Sequence, residues 1–592
     1  MSLSGSEARR KQLTLAACIL GSGIVLLDGT AVNVALPSIQ RALGGGLAAQ
    51  QWVVNGYLLT LGSLILVGGS LGDVFGERRI FALGVAGFGA ASLACAVAPS
   101  IYALVAARAL QGVAGALLVP SSLAVIVATF AESERGPAIG SWTAWGGIAT
   151  VLGPLAGGEL LALASWRSIF LLNLPLTVAC VALILVVVPG GGRARARTAP
   201  TGTGLPDGEG SGQTLSSGGG LARARTAPTG MGVLPDAAGT GTGTERARRV
   251  DLPGAGLCVL GLAGPVFALI EQPRLGWSSP AVFVPLLAGL AFFGAFLAYE
   301  WRGAKDPMLP LGLFRKRNFT AGNVETFAMY AGLAVLFFFL VLFLQQVGGY
   351  TPLQSGLATL PVTGVMFALS KRFGALSDRH GPRLFMGAGP LVAAVGLLLF
   401  QRVGVHVDYV ADVLPALLVF ALGLSMTVAP LTAAVLAGAE RSQAGIASAV
   451  NNAVARVAGL LGTAALGAAL AGAFAKSLDA DLAGVRLGPA GEAAVREAKR
   501  LTLGLPNVSG LPPKQAKALT SAAETASLHS FHLGLAVAAV LVALGGVCGL
   551  IWIRNPQRAV EAEGCEGGVL VGASLDAAGV GQEVTIASAN PS

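Results

Sequence analysis

Apolar runs long enough to cross a bilayer recur along almost the whole chain. They fall near 13–34, 51–71, 79–98, 103–128, 139–163, 168–188, 252–271, 280–299, 321–346, 354–371, 384–401, 410–436, 444–472 and 531–553. A spanning helix needs about 20 mostly apolar residues. The fold class this predicts is an all-α polytopic membrane protein of about fourteen spans. Only 12% of the residues are charged, against roughly 25% in a soluble domain, and the mean hydropathy is +0.72. The 84 glycines suit helices that must approach closely in lipid. Arg9, Arg10 and Lys11 ahead of the first run resemble the start of a signal peptide. The run is too long for one and no cleavage-like site ends it, so it reads as an uncleaved first span.

Lysine and arginine gather in short cytoplasmic loops. With the N-terminus inside, the predicted inner segments hold Arg9–Lys11, Arg78 and Arg79, Arg135, Arg302, Lys305, Arg315–Arg317, Lys371 and Arg372, Arg379 and Arg383, Arg441, Arg554 and Arg558. The short outer loops hold only Arg41, Arg167, Arg274 and Arg402. Both termini are therefore predicted to be cytoplasmic, in a plasma membrane. The net charge of +9 is spread through loops and not over one soluble face, which argues against a nucleic-acid partner.

The sequence divides into a cytoplasmic N-terminus (1–12), a first six-helix half (13–188), a linker (189–250), two further helices (251–300), a second six-helix half (301–553) and a tail (554–592). The linker is rich in Gly, Thr, Ala and Arg and repeats "RARTAPTG" from Arg195 and Arg223. Such composition cannot bury a core, so linker and tail are expected to be disordered. Within the second half, 473–530 reads as an external loop with a short amphipathic helix around Pro513–Leu528.

"GSLGDVFGERR" (Gly69–Arg79) follows the second run and "GALSDRHGPR" (Gly374–Arg383) follows the tenth. Gly69, Leu71, Asp73, Gly76 and Arg78 align with Gly374, Leu376, Asp378, Gly381 and Arg383. Internal duplication is common among secondary transporters. The copies lie eight spans apart where two plain six-span halves would give six, so the seventh and eighth helices are an insertion between halves.

These features resemble a major facilitator superfamily transporter of the 14-span drug/proton antiporter type. Residues 68–81 resemble the superfamily's loop signature, although Val74 and Glu77 replace two usual basic positions. "LVAARALQGVAGA" (Leu104–Ala116) resembles the fourth-span motif with its buried Arg. "GPLAGG", with Gly153, Pro154, Gly157 and Gly158, resembles the fifth-span antiporter motif. "LDGTAVNVALP" and "GIASAVNNAVARVAGLLG" resemble the first and thirteenth spans of the 14-span type.

Asp28 is a carboxylate deep in an apolar run. Desolvation penalises its anion, so it can take up and release a proton or meet a cation. Alternatively it is an interfacial acid bonded to Thr30 or Asn33. Arg108 sits in the fourth span with Gln111 and Gly112 on its face. It can hold a nearby carboxylate ionised, or be a structural arginine bonded to carbonyls. The resemblance implies a coupling or substrate role for Asp28 and a proton-coupling role for Arg108. Asn452 and Arg456 share a face with Ser448 and form either a cavity lining or an interior hydrogen-bond stripe. Asp73, Arg78, Arg79, Asp378, Arg379 and Arg383 form a rim set that can latch the halves, hold the loops inside, or both. Pro154 bends its span, and the neighbouring glycines permit close packing. Glu325, near the start of the ninth span, is expected at the interface, with a proton role as the alternative; Glu159 and Glu271 are expected to face water.

No G-x-x-x-x-G-K-[ST] phosphate loop occurs, no metal-ligand or disulfide spacing appears among the six cysteines, and His380, His406, His529 and His532 lie in loops or at a span end. No enzyme activity and no cofactor are expected. The reading is a monomeric exporter of amphipathic small molecules, driven by protons through alternating access. A dedicated exporter of one natural product is the alternative on the same fold; a membrane receptor or enzyme is the more distant one.

Overall fold

A computed structural model describes residues 2–187, 250–304, 307–437 and 444–555. Most of the linker with its repeat, the loop carrying Arg441, and the tail beyond Asn555 lie outside the described residues. Within them there are sixteen α-helices and no strand. The first six are α1 (Ser2–Leu43), α2 (Leu47–Phe75), α3 (Glu77–Ala96), α4 (Ile101–Thr129), α5 (Glu132–Leu163) and α6 (Arg167–Val187). A pair follows: α7 (Leu252–Leu275) and α8 (Pro280–Arg302). The rest are α9 (Arg317–Gln346), α10 (Pro352–Ala358), α11 (Leu360–His380), α12 (Pro382–Leu399), α13 (Leu414–Ala437), α14 (Ala444–Asp481), α15 (Pro489–Leu501) and α16 (Pro513–Trp552). Fourteen segments among the described residues are long and apolar enough to span, with α10 and α11 together making one, interrupted at Thr359.

Helix neighbours expose the duplication more fully than the loops do. In the first half α1 packs on α5 and α6, α2 on α4, and α3 on α4 and α6. In the second half α9 packs on α14 and α16, α11 on α13, and α12 on α13 and α16. Replacing α1–α6 in order by α9, α11, α12, α13, α14 and α16 converts one set into the other. The inserted α7 and α8 pack on each other, and α7 leans on α2 and α14. The insertion therefore sits against both halves.

The two motif loops are tight reversals. Gly76 (φ +91°) joins α2 to α3 and Gly381 (φ +87°) joins α11 to α12, a backbone region that glycine enters without steric cost. Arg78 donates to the Leu185 carbonyl of α6 (2.8 Å), and Arg383 donates to the Leu550 carbonyl of α16 (2.6 Å). Each acceptor lies in the last turn of the final helix of its half, where a cation meets the negative helix end. We call this end of the bundle the basic end.

The far end departs from the sequence reading. Residues 473–530 are not a loop with one short helix. α14 and α16 run on past the bilayer, 38 and 40 residues long, or about 57 and 60 Å at 1.5 Å per residue. The stretch from Pro513 is continuous with the last span, because its alanine-rich sequence never breaks the helix. The separate amphipathic helix is α15. Phe474 and Leu478 of α14, Ala494 and Ala498 of α15, and Leu519, Ala523 and Ala526 of α16 form a small core of their own. Lys499 pairs with Asp479 at 2.6 Å on the surface of this cap.

Candidate functional site

Asp28 lies 17 residues beyond Lys11 and 15 before Leu43, about 25 and 22 Å from those points along α1. It is 0% exposed, and Arg108 on α4 is 1% exposed. Arg108 Nη1 donates to Asp28 Oδ2 at 2.5 Å and to Gln111 Oε1 at 2.6 Å, and its Nε donates to the Val53 carbonyl of α2. Gln111 Nε2 donates to Asp28 Oδ1 at 3.0 Å and to the Ser92 hydroxyl of α3 at 2.9 Å. Asn173 Nδ2 of α6 donates to the same Asp28 oxygen at 2.8 Å. The guanidinium also lies over the Tyr57 ring, 4.2 Å from its centre. Three helices thus meet on one buried carboxylate, and α2 and α3 join the cluster through Arg108 and Gln111.

This excludes the interfacial alternative for Asp28. Thr30 donates instead to the carbonyls of Leu26, Leu27 and Thr150, and Asn33 Oδ1 is buried without a partner. Sequence reasoning found Asp28, Arg108 and Gln111 but missed Asn173, Ser92 and Tyr57. The available signal was a lone amide in the apolar run "IFLLNLPL".

The fifth-span motif links this cluster to the other half. On α5, Gly153 and Gly157 face α1, and Pro154 and Gly158 face α10, four residues apart on each side. A Cβ on Gly153 would fall on the Thr30 hydroxyl and the Leu27 carbonyl; one on Gly157 would lie 3.1 Å from the Ala31 carbonyl. A Cβ on Gly158 would come within 2.6 Å of Leu353 Cα, and one on Gly356 within 2.7 Å of the Pro154 carbonyl. Hydrogen bonds from Gln345 to the Val34 carbonyl (3.0 Å), Gln346 to Gln40 (3.4 Å) and Gln51 to the Thr463 carbonyl (2.6 Å) also join the halves. All of these lie toward the far end, which is closed.

Arg456 on α14 packs against Gly62 of α2, where its Cβ would lie 3.1 Å from an added Cβ. It lies within electrostatic range of Tyr57 and Tyr330, and its Nε is buried without a partner. It therefore stands near the Asp28 cluster, across the half–half boundary. Asn452 is half-buried; its neighbour Asn451 accepts from Thr326 of α9 at 2.7 Å. Of the rim set, Arg78 and Arg383 bind within their own halves, and Asp73, Asp378 and Arg379 are also engaged.

Two acids differ from expectation. Glu325 is not interfacial: it is 0% exposed, because α12 and α16 wrap the first turns of α9. Glu271 does not simply face water: it accepts from Trp52 at 3.1 Å and pairs with Arg274 at 3.0 Å. It lines a cavity of about 1050 Å³ at the far end, beside Trp52, Phe267 and Arg500.

The profile of the Major Facilitator Superfamily matches residues 18–463. The chain belongs to that superfamily. It is 35% identical over 459 residues to the puromycin resistance protein pur8 of Streptomyces alboniger, covering 77% of this chain and 81% of the relative. It is 31% identical to the tetracenomycin C resistance and export protein of Streptomyces glaucescens, covering 91% and 90%. It is also 31% identical to the multidrug resistance protein Stp of Mycobacterium tuberculosis, covering 80% and 78%. The fold matches a bacterial homologue of the human lysosomal transporter Spinster in an inward-facing, unoccupied conformation, with TM-score 0.56, 15% identity, and 93% and 99% coverage. It also matches the xylose transporter XylE from E. coli, with TM-score 0.52, 11% identity, and 92% and 97% coverage. Fourteen apolar spans agree with the superfamily's 14-span type. The protein is a multi-pass membrane transporter and not an enzyme.

Proposed function

We propose that this transporter exports amphipathic small molecules from the cytoplasm across the plasma membrane in exchange for protons, with both termini and the basic end inside. The observation that carries the reading is the Asp28–Arg108 pair, buried at mid-membrane and held by Gln111 and Asn173. As a carboxylate, Asp28 accepts from three donors. A proton would turn one oxygen into a donor facing donors, because guanidinium and amide N–H groups cannot accept. Protonation therefore displaces at least one donor and removes the charge that holds Arg108, which loosens the cluster. Asp28 sits within one turn of the α1 residues on which Gly153 and Gly157 of α5 pack. α5 in turn grips α10 of the other half. Uptake of a proton thus loosens the helix whose partner closes the far end, which suits two halves rocking about a central site.

The relatives support export of antibiotics. Pur8 and the tetracenomycin protein carry the name of one compound each, and Stp is named for many. The test is accumulation of puromycin, and separately ethidium, in everted vesicles under a proton gradient. We expect an uncoupler to abolish accumulation, and Asp28→Asn to lower it at least about tenfold, or about 1.4 kcal/mol of coupling. Accumulation that ignores the uncoupler would overturn proton coupling. A wider panel of dyes and antibiotics separates a single-compound exporter from a broad one.

A further inference from the structure

Glu325 lies on α9, eight residues in from Arg317, about 12 Å along the helix. It is fully buried, and neither carboxylate oxygen has a hydrogen-bond partner. Its side chain lies against α16, where a Cβ on Gly549 would come within 2.9 Å of Oε2 and 2.6 Å of the Met386 carbonyl of α12. Gly545, one turn earlier on α16, gives the same close approach to Ala328.

The duplication makes this position informative. α9, α12 and α16 are the counterparts of α1, α3 and α6. Asp28 on α1 meets Ser92 of α3 and Asn173 of α6 through its cluster; Glu325 on α9 lies against Gly549 of α16, where α16 also packs on Met386 of α12. The repeat loops are offset by 305 positions, from Asp73 to Asp378, so the counterpart of Asp28 is Leu333. Glu325 is eight residues from Leu333, about two turns nearer the basic end and about 80° round the helix. Both halves therefore bury an acid on the equivalent helix, at different depths. Only the first supplies it with a cation and amides.

Among the described residues, no charged or ionisable group on the surrounding helices compensates Glu325. The Cys548 thiol of α16 faces it. Arg456 of α14 lies toward Tyr57 and Tyr330, and Asn451 of that helix binds Thr326. Arg317, on α9 itself, is held by the Ile551 and Trp552 carbonyls, and Arg383 of α12 by the Leu550 carbonyl. α13 presents Leu431 and Val435 one turn away, beside Gly322. An isolated carboxylate in such surroundings is so costly that the group neutralises instead, and an acid kept inside a membrane is by default functional.

We propose that Glu325 is a second proton-binding site, in the C-terminal half. It holds its proton in this far-end-closed state. It gives the proton to water, the carboxylate keeping the O–H electron pair, in conformations that part α9 from α12 and α16. This rests on the proton-driven reading and adds a second exchangeable proton to the one at Asp28.

The test has two arms on the full-length protein. In the first, purified wild-type protein is treated with dicyclohexylcarbodiimide, which adds to protonated carboxyls in apolar sites, and peptides are read by mass spectrometry. We expect labelling of Glu325 at mildly acidic pH that falls at least about tenfold at alkaline pH. An unlabelled Glu325 overturns the proposal, whether or not any variant folds. In the second, uncoupler-sensitive puromycin and ethidium accumulation in everted vesicles is compared for wild type, Glu325→Gln and Glu325→Asp. We expect the glutamine variant to lose at least about tenfold and the aspartate variant to retain most activity. A glutamine variant equal to wild type overturns the second site alone. Wild-type accumulation that ignores the uncoupler overturns the export mechanism, while the labelling still decides whether Glu325 exchanges a proton.

Discussion

At the scale of single residues, Asn173 separates structural from functional contributions to the cluster. It donates one hydrogen bond to Asp28 and another to Ser92. A hydrogen bond to a charged group contributes about 1.5–3 kcal/mol. Asn173→Leu should therefore lower the melting temperature of the detergent-purified protein while leaving the Arg108–Asp28 pair able to form. Arg108→Ala is expected to cost more, about 3–5 kcal/mol, because it strands a buried charge. Equal melting temperatures for the two variants would show that Arg108 is not the principal partner of Asp28. These residues also mark how far the sequence was legible. A charge inside an apolar run stands out, so Asp28, Arg108 and Gln111 were readable. Their partners Asn173, Ser92 and Tyr57 were not, since a one-dimensional pattern does not say which spans face each other. Glu325 was not legible for a related reason: depth along a helix does not report burial, since α16 shields that turn whatever its depth.

Among elements, α5 links the two halves, since α1 and α10 grip it on adjacent faces. Gly153→Ala inserts a methyl onto the Thr30 hydroxyl and the Leu27 carbonyl, whereas Gly147→Ala, on the same helix, meets nothing within 4 Å. Overpacking a tight contact costs about 1–3 kcal/mol. Gly153→Ala should therefore reduce puromycin accumulation in everted vesicles about tenfold or more, with Gly147→Ala close to wild type. Equal activity in both variants would remove α5 as the link between Asp28 and the far end. The fourteen spans and the duplication were legible at this scale because apolar length and the G-x-L-x-D-x-x-G-x-R loops are local signals. The cap was not: the stretch from Pro513 to Leu528 looks like a surface helix on its own, and only continuity with α16, together with packing on α14 and α15, makes it part of a folded unit.

Beyond the packing of α2 on α14, the whole molecule ties its halves together at the far end. Gln345 and Gln346 of α9 reach Val34 and Gln40 of α1, and α10 seats on α5, all toward the far end. If transport needs that end to open, a covalent tie across it must stop the cycle even though every proton-handling residue is intact. Gln40 and Gln346 suit the purpose, because both are half-buried and their amides are 3.4 Å apart. Replacing Gln346 by cysteine removes one weak amide contact, about 1 kcal/mol, and replacing Gln40 removes that contact and the one it accepts from Gln50; both sites lie at the ends of their helices, so each single variant should transport. Four of the native cysteines in the described residues are buried, with Cys548 partly so; the single variants therefore control for background reaction. Treating the Gln40→Cys/Gln346→Cys protein with a short bifunctional maleimide should abolish puromycin accumulation, while the same reagent leaves both single variants active. Undiminished transport in a fully cross-linked double variant would mean that the far end does not open during the cycle. The coupling of Asp28 to α5 would then have nothing to move, and proton uptake would have to act within one half.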